Sequence, residues 1–346
     1  MKKIISNTVC VAVDQGNYNV KACGQTGAIE PFPTGVNHHG TVPPPMRPGS
    51  IKLGDQYYSI TTDRLQARRN KTADEDYFVL TLAAIGRTIA AVFPGASAYE
   101  CNVALALGLP VEHLSLKVDG ILLRERYRTF FGNKGERVSF TVDGIRFDIK
   151  VTQVWVFAQT ISAAISDAGI YNAMLQSSRA YIIDIGGGTT NVISIINKKP
   201  QNPGITLEEM GVLELFKTAH RTVLEDCGRS VDDFMLDVLL RGGKECTPDM
   251  QKALERARES FVRRLLLELE SRKVDFFLGY ICLVGGGGVL LHDTLKRAIS
   301  EKGNGEFAAI SDVSANAKGY FAQAMARMSA AGIVPAIPAV DANAPA

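Results

Sequence analysis

A chain of 346 residues, 46% hydrophobic and 21% charged, is long enough to bury a large core and to form more than one domain. Its formal net charge of +2 gives no reason to expect direct binding to DNA or to an anionic membrane. The N-terminal segment lacks the apolar core of a signal peptide, and no apolar run reaches membrane-spanning length. The six cysteines contain no Cys-x-x-Cys pair, which is typical of reduced thiols in a cytoplasmic protein.

The first predicted element is a hairpin over residues 9–23, which reads VCVAVDQGNYNVKAC. An apolar strand ends at Asp14, and a turn containing Gly16, Asn17 and Asn19 leads to a second strand that carries Lys21. Glycine lets backbone N–H groups approach an anion closely, and a lysine would place a positive charge beside phosphates. Considered alone, Lys21 is more often a solvated strand residue.

The next part of the chain alternates between strands and helices. Prolines and glycines predict loops and short hairpins over residues 24–60, and apolar residues at helical spacing predict a helix from Asp74 to Gly95. A strand over 101–107 and an amphipathic helix up to about Phe131 follow. Two further strands, 137–141 and 145–157, lead to Gln159 in the first turn of a helix that continues to about Leu175.

The central hairpin is predicted over residues 181–196, which read YIIDIGGGTTNVISII. Asp184 ends a buried strand, and the turn is formed by three glycines and by Thr189, which adds a hydroxyl donor. The three glycines are Gly186, Gly187 and Gly188. A carboxylate beside a phosphate cradle is repulsive unless a cation lies between them, so Asp184 indicates bound Mg²⁺. The alternative interpretation is a glycine-rich bend with an Asp cap.

The two hairpins are similar enough to be an internal repeat. Asp14-x-Gly16 parallels Asp184-x-Gly186, and the pair Asn19-Val20 resembles Asn191-Val192. Two halves that each carry an Asp–Gly hairpin could hold one phosphate chain from both sides, so the repeat favours a nucleotide site over two unrelated turns.

The C-terminal half contains a third glycine element. Helices are predicted over 213–227, 231–240 and 248–273, and the first of these carries Lys217 and Arg221. The segment ICLVGGGGVLL predicts a buried strand, a run of four glycines and a helix to about Lys302. The four glycines are Gly285, Gly286, Gly287 and Gly288. A strand over 307–311, a helix over 315–328 and a disordered Ala/Pro-rich tail over 331–346 follow.

The order of the three glycine elements resembles that of the actin-like ATPases, and DQGNYNVK looks most like the plasmid-segregation actins of the ParM/StbA family. The resemblance spans about residues 9–325. It implies an α/β, actin-like (ribonuclease H-like duplicated) fold with two domains around a central nucleotide cleft. The implied boundaries are 1–165 for domain I, with a small subdomain at about 30–100, and 166–330 for domain II, with helix 315–328 packing back on domain I.

The resemblance also implies an activity and partners. The chain would be a filament-forming ATPase that binds ATP or ADP, with GTP possible, and Mg²⁺ through Asp14 and Asp184. Gln159 would orient the attacking water, with Gln153 as a rival, and Lys217 and Arg221 would lie in the base and ribose pocket. The filament would segregate plasmid DNA through a ParR-like DNA-binding adaptor at a centromere-like site, without direct contact to DNA or membrane.

Three other functions remain as alternatives. A small-molecule kinase of the same fold would need a catalytic Asp where this chain has Gln159. A chaperone-type ATPase would have Asp in place of Asn191 and a peptide-binding domain after the ATPase. A cell-shape actin often begins with an amphipathic membrane helix, for which residues 1–8 are short and polar.

Overall fold

The computed structural model describes residues 1–45, 48–66, 68–201, 203–303 and 305–338. In these residues the chain divides into two compact units. Unit 1 comprises residues 1–109, 113–162 and 316 onward, and unit 2 comprises residues 110–112 and 163–315. Only the C-terminal part of the predicted disordered tail, residues 339–346, lies outside the described residues.

The described strands are β1 (Lys2–Gln15), β2 (Asn19–Gly24), β3 (Gly27–Ala28), β4 (Phe32–Pro33), β5 (Val36–Gly40), β6 (Ser50–Leu53), β7 (Gln56–Ile60), β8 (Ala98–Leu109), β9 (Lys117–Val118), β10 (Ile121–Leu122), β11 (Arg137–Val142), β12 (Ile145–Ala158), β13 (Arg179–Ile185), β14 (Thr189–Ile196), β15 (Lys199–Pro200), β16 (Ile205–Glu208), β17 (Tyr280–Val284) and β18 (Glu306–Ala309).

The described α-helices are α1 (Glu75–Val92), α2 (Leu123–Phe131), α3 (Ile161–Ile165), α4 (Ala168–Gln176), α5 (Val212–Cys227), α6 (Asp233–Leu240), α7 (Pro248–Ser271), α8 (Gly285–Leu290), α9 (His292–Ser300) and α10 (Ala315–Ala330). A short 3-10 helix, Lys71–Ala73, precedes α1. None of the helices in the described residues combines the length and the apolar content needed to cross a membrane.

Both units are built around the same strand pattern. In unit 1, β1 pairs antiparallel with β2 and parallel with β8, and β8 pairs parallel with β12. In unit 2, β13 pairs antiparallel with β14 and parallel with β17, and β17 pairs parallel with β18. In each unit helices connect the parallel strands, as a parallel pair requires. This repetition confirms the predicted duplicated α/β fold.

The sheet of unit 1 packs against a different core cluster on each face. Successive side chains of a strand point to opposite faces, so neighbouring residues of β1 belong to different clusters. Val9, Val11 and Val13 of β1 belong to the core cluster that includes α1. Cys10 and Ala12 belong to a second cluster that includes Tyr320 of α10. Small residues on this second face let α10 approach closely. A Cβ atom added to Gly108 of β8 would lie 2.0 Å from the Tyr320 hydroxyl oxygen.

Three local predictions about secondary structure are wrong or incomplete. The helix expected before Phe131 begins only at Leu123, because an Asp119-Gly120 turn with positive φ at both residues first forms the β9–β10 hairpin. The helix expected over 161–175 is split, since the Asp167 side chain accepts a hydrogen bond from the Ile170 N–H and starts α4. The helix expected to run on to Lys302 is likewise two helices, α8 and α9.

The expected disorder of the tail does not extend over its first residues. The Thr8 N–H donates to the Val334 carbonyl at 3.2 Å, and the Ala336 N–H donates to the Thr8 carbonyl at 2.9 Å. These bonds pair the segment with the irregular part of β1, and Ala336 is buried. Backbone hydrogen bonds and apolar burial therefore order a stretch whose composition alone suggested a free tail.

Candidate functional site

Asp14 lies in the buried C-terminal part of β1, and its side chain contacts polar groups. Only 4% of the residue is exposed. In the β1–β2 ladder Asp14 lies opposite Lys21, whose Nζ is 3.2 Å from Asp14 Oδ2. Gln159 Nε2 donates to Asp14 Oδ1 at 3.4 Å. Unit 1 thus brings together three of the predicted site residues, with a buried carboxylate at the centre.

The turn after Asp14 leaves no room for a side chain at Gly16. A Cβ atom there would lie 2.5 Å from the Asn19 carbonyl oxygen and 2.8 Å from Lys21 Nζ. The next residue, Asn17, has a buried Oδ1 atom without a hydrogen-bond partner in the described part of the chain. A buried polar atom of this kind is costly unless it is paired, and a bound ligand or ordered water can pair it.

Lys71 is a member of this cluster that the sequence did not indicate. It lies in the 3-10 helix before α1, and its Nζ donates to the Gln15 carbonyl, directly after Asp14. Its ammonium group also lies 5.1 Å from the centre of the Tyr77 ring. Burial lowers the pKa of Lys71 to about 8, Asp14 opposes this change and Lys21 adds to it. The cluster therefore contains two cations beside one carboxylate.

Gln159 lies in a turn between β12 and α3, two residues before the start of the helix in whose first turn it was expected. The turn is strained, because the buried β-branched residue Thr160 has a φ of +70°. Its N–H donates to Asn316 Oδ1 at 3.0 Å, and this contact with α10 helps to hold it. Strain of this kind costs on the order of 1–3 kcal/mol and is concentrated at functional sites.

Gln153, the rival to Gln159, lies within β12, the strand that precedes Gln159. It is exposed and lines a surface cavity of about 400 Å³ together with Arg128 and Trp155. Six residues of extended strand separate it from Gln159, which corresponds to roughly 20 Å. Of the two glutamines, only Gln159 has a hydrogen bond to Asp14.

Asp184 occupies the corresponding position in unit 2. It is 5% exposed, and it lies opposite Asn191 in the β13–β14 ladder, as Asp14 lies opposite Lys21. Asn191 Oδ1 accepts a hydrogen bond from the Thr206 hydroxyl at 3.0 Å. The ladder corrects one detail of the predicted repeat. Because the turns match in length, Asn191 is equivalent to Lys21 and not to Asn19.

The three glycines after Asp184 are held against the start of α5. The N–H groups of Val212 and Leu213 donate to the carbonyls of Gly186 and Gly187 at 3.0 and 2.9 Å. A Cβ atom on Gly211 would lie 2.5 Å from the Gly187 carbonyl oxygen, so the approach leaves no room for a side chain. The first N–H groups of a helix lack intrahelical partners, and here two of them fix the glycine turn.

The four-glycine run is itself helical, where a loop before a helix was expected, since the glycines form the first turn of α8. Gly285 has a φ of +83°, and a Cβ atom there would lie 2.4 Å from Asp184 Oδ1. A Cβ atom on Gly287 would lie 2.3 Å from Ile185 Cγ2, and one on Gly288 would make ordinary contacts. Gly286 faces open space on the Cβ side. The run thus packs directly against the strand that carries Asp184.

Two predicted pocket residues lie on the exposed surface of α5. Lys217 is exposed, and its Nζ is 3.3 Å from Glu214 Oε2, one turn earlier in the helix. Arg221 is also exposed, one turn later. Neither has a described contact with the glycine turns, and their assignment to a base and ribose pocket stays a prediction.

The arrangement found in both units, a buried aspartate at a strand end followed by a glycine turn, defines a class of duplicated α/β proteins. Comparison with known proteins identifies the class. Residues 12–161 match a family profile described as the N-terminal domain of actin-like proteins. A search of curated protein sequences found no match.

Solved structures of actin homologues share the fold of nearly the whole chain. The actin-like protein Alp7A has a TM-score of 0.72 at 15% identity, covering 95% of this chain and 98% of its own. A 15-stranded ParM filament from Clostridium botulinum has a TM-score of 0.67 at 19% identity, covering 92% and 99%. The archaeal actin homologue Ta0583 in complex with ADP has a TM-score of 0.68 at 18% identity, covering 92% and 100%.

The chain therefore has the actin-like fold, and its residues 12–161 match the N-terminal domain of actin-like proteins. The resemblance to the actin-like proteins, with ParM among the structural neighbours, is confirmed.

Steric contact makes the glycine run testable by substitution. We expect Gly285→Ala to destabilise the protein by about 2 kcal/mol or more, because the methyl group meets Asp184 and the backbone requires positive φ. Gly286→Ala is the matched control, since its methyl group points into open space and alanine favours a helix. Urea unfolding of both variants measures the effect. Equal midpoints for the two variants would contradict the described packing.

Proposed function

We propose that the protein is an ATPase that binds ATP or ADP together with Mg²⁺ and assembles into filaments of its own subunits. The observation that carries the proposal is the repeated hairpin, with Asp14 and Asp184 buried in the same register at the ends of equivalent strands. Two buried carboxylates, each followed by a glycine turn, suit a ligand that brings both phosphates and a cation. The nucleotide complex of Ta0583, which shares the fold, supports this assignment.

The donor set fits Mg²⁺ held together with a nucleotide. No group of three or more His, Cys, Asp or Glu side chains able to hold a metal occurs in the part of the chain that the structure describes. Magnesium does not require such a group, because it is commonly bound by one or two carboxylates, by waters and by the phosphates themselves. Asp14 and Asp184 would be its protein ligands, and the ion would neutralise charge on the phosphates.

The residues around Asp14 provide the other parts of a phosphate site. Lys21, together with the turn residues Gly16, Asn17 and Asn19, would bind phosphate oxygens in unit 1. Gly186, Gly187, Gly188 and Thr189 would do so in unit 2, and the run from Gly285 to Gly288 would lie against the nucleoside. GTP could occupy the same groups, since phosphate contacts do not distinguish the base.

Gln159 is the residue proposed to orient the attacking water. Hydrolysis needs a water molecule in line with the leaving group, and an amide side chain can position water without removing its proton. Its hydrogen bond to Asp14 and the strained Thr160 beside it both support this role. A glutamine at this position also disfavours a kinase, which needs a carboxylate to accept the proton of a substrate hydroxyl.

The cellular role follows from the likeness to ParM structures. We place the filament in the cytoplasm, where it would segregate plasmid DNA through a ParR-like adaptor bound at a centromere-like site. The net charge of +2 agrees with contact to DNA through an adaptor. The ParM filament structure shares the fold of nearly the whole chain, and this likeness supports self-assembly. A cell-shape actin would use the same fold.

Nucleotide-dependent assembly is the experiment that tests this function. We expect the protein to sediment at high speed after addition of ATP and Mg²⁺, and to stay in the supernatant with ATP and EDTA. GTP added in a parallel sample measures the base preference. Protein that remains in the supernatant with both nucleotides, over a range of protein concentrations, would contradict a filament-forming function.

Substitution of Gln159 separates hydrolysis from assembly. We expect Gln159→Ala to slow phosphate release by about 100-fold, which is the typical contribution of one positioned catalytic group. The polymer should still form and should persist longer, because nucleotide turnover is what disassembles it. Gln153→Ala, in the strand that precedes Gln159, is the matched control and should release phosphate at the wild-type rate. Loss of activity in the control alone would reassign the role to Gln153.

A further inference from the structure

The backbone of the unit 1 turn is held from outside by side chains that are distant in sequence. The Thr34 hydroxyl donates to the Gly16 carbonyl at 2.7 Å, and Lys71 Nζ donates to the Gln15 carbonyl. Arg64 Nε donates to the Tyr18 carbonyl at 3.1 Å, and its guanidinium group lies 3.6 Å above the Tyr18 ring. We call Thr34, Arg64 and Lys71 the turn anchors.

These contacts determine where the N–H groups of the turn point. A trans peptide unit is planar, and its C=O and N–H bonds point in opposite directions. Because the carbonyls of Gln15, Gly16 and Tyr18 face the turn anchors, the N–H groups of the following residues face away from them. Those residues are Gly16, Asn17 and Asn19. Backbone N–H groups that face one side of a turn can bind an anion together.

Unit 2 fixes its glycine turn in the same way with different groups. Gly16 and Gly186 are equivalent, since each lies two residues after its aspartate in matching ladders. The Gly186 carbonyl accepts from the Val212 N–H at the start of α5, and the Gly16 carbonyl accepts from the Thr34 hydroxyl. A buried side chain in unit 1 therefore does what a helix N-terminus does in unit 2.

We propose that the turn anchors Thr34, Arg64 and Lys71 are positioning residues, which hold the Asp14–Asn19 turn in the shape that binds the phosphates of the nucleotide. This inference rests on the proposed nucleotide function and adds to it a set of residues outside the glycine motifs. Preorganised donors bind an anion without the cost of ordering the turn, so loss of an anchor weakens binding even where the fold survives. All three anchors come from the segment between β2 and α1, so they join that segment to the turn.

Thr34→Val tests the proposal because it removes one hydroxyl group at nearly constant volume. The matched control is Thr88→Val, since Thr88 is also fully buried and its hydroxyl donates to the Ala84 carbonyl at 2.8 Å inside α1. With a fluorescent ADP analogue and Mg²⁺, we expect Thr34→Val to raise Kd by roughly fivefold or more, as expected for one lost hydrogen bond. Thr88→Val should leave Kd within about twofold, and Thr34→Ser should restore binding.

Melting temperatures without nucleotide separate a positioning role from a structural one. Thr34→Val and Thr88→Val should lower Tm to a similar extent, while only the former weakens binding. Equal Kd values for these two variants would overturn the inference and leave the proposed function intact. Failure of the wild-type protein to bind the analogue would overturn both.

A second anchor keeps the test decisive if Thr34→Val does not fold. Lys71→Met removes the donor to the Gln15 carbonyl, and Lys52→Met is its control, because Lys52 Nζ also lies 5.1 Å from a tyrosine ring, that of Tyr57. Lys71→Met should weaken binding of the analogue about tenfold or more, as expected for a hydrogen bond from a charged group. Binding that is as tight in Lys71→Met as in Lys52→Met would contradict the inference.

Discussion

A carboxylate buried at the end of a core strand is the constraint on which the site of unit 1 depends. Taking Asp14 out of water is costly unless charges and hydrogen bonds replace the lost solvation. Lys21 supplies the charge across the ladder, and Gln159 supplies a donor. The glycine in the turn after it is also required, since a Cβ atom at Gly16 would lie 2.5 Å from the Asn19 carbonyl oxygen. The burial of Asp14, the charge of Lys21 and the shape of the turn at Gly16 therefore depend on one another.

The two units surround their buried aspartates with different side chains. Across from the aspartate, unit 1 places a lysine and unit 2 places Asn191, which is itself bonded to Thr206. Asp184 also lies against Gly285, so within unit 2 the third glycine element packs against the aspartate. The duplication thus preserves the strand, the carboxylate and the turn, while the neighbours differ.

The fold and the buried aspartate with its glycine turn in each unit could be predicted because their signals are local. An apolar run, an aspartate and glycines within about ten residues define each hairpin, and their order along the chain indicates the actin-like class. The neighbours of the hairpins could not be predicted, because tertiary contacts bring them in. Thr34 and Lys71 contact the first turn from outside the glycine motif. The sequence around these two residues does not indicate the contact.

Errors in the sequence-based interpretation also have physical causes. Matching Asn19 with Asn191 by residue type gave the wrong equivalence, since the ladder aligns residues by turn length and not by identity. The glycine run from Gly285 was expected to be a loop, yet contact with Asp184 and Ile185 favours residues without side chains in a helical turn. The Asp119-Gly120 pair is a hairpin signal in the sequence, and the predicted helix up to Phe131 does not take account of it.

The central proposal is that the protein binds a nucleotide with magnesium, and that this binding depends on both Asp14 and Asp184. Calorimetric titration of Mg-ADP into Asp14→Asn and Asp184→Asn tests it most directly, because each change removes a charge and keeps the shape of the side chain. The account predicts one site per chain in the wild type, and a large loss of magnesium-dependent affinity in both variants. Wild-type affinity in either variant, with its fold intact, would contradict the account.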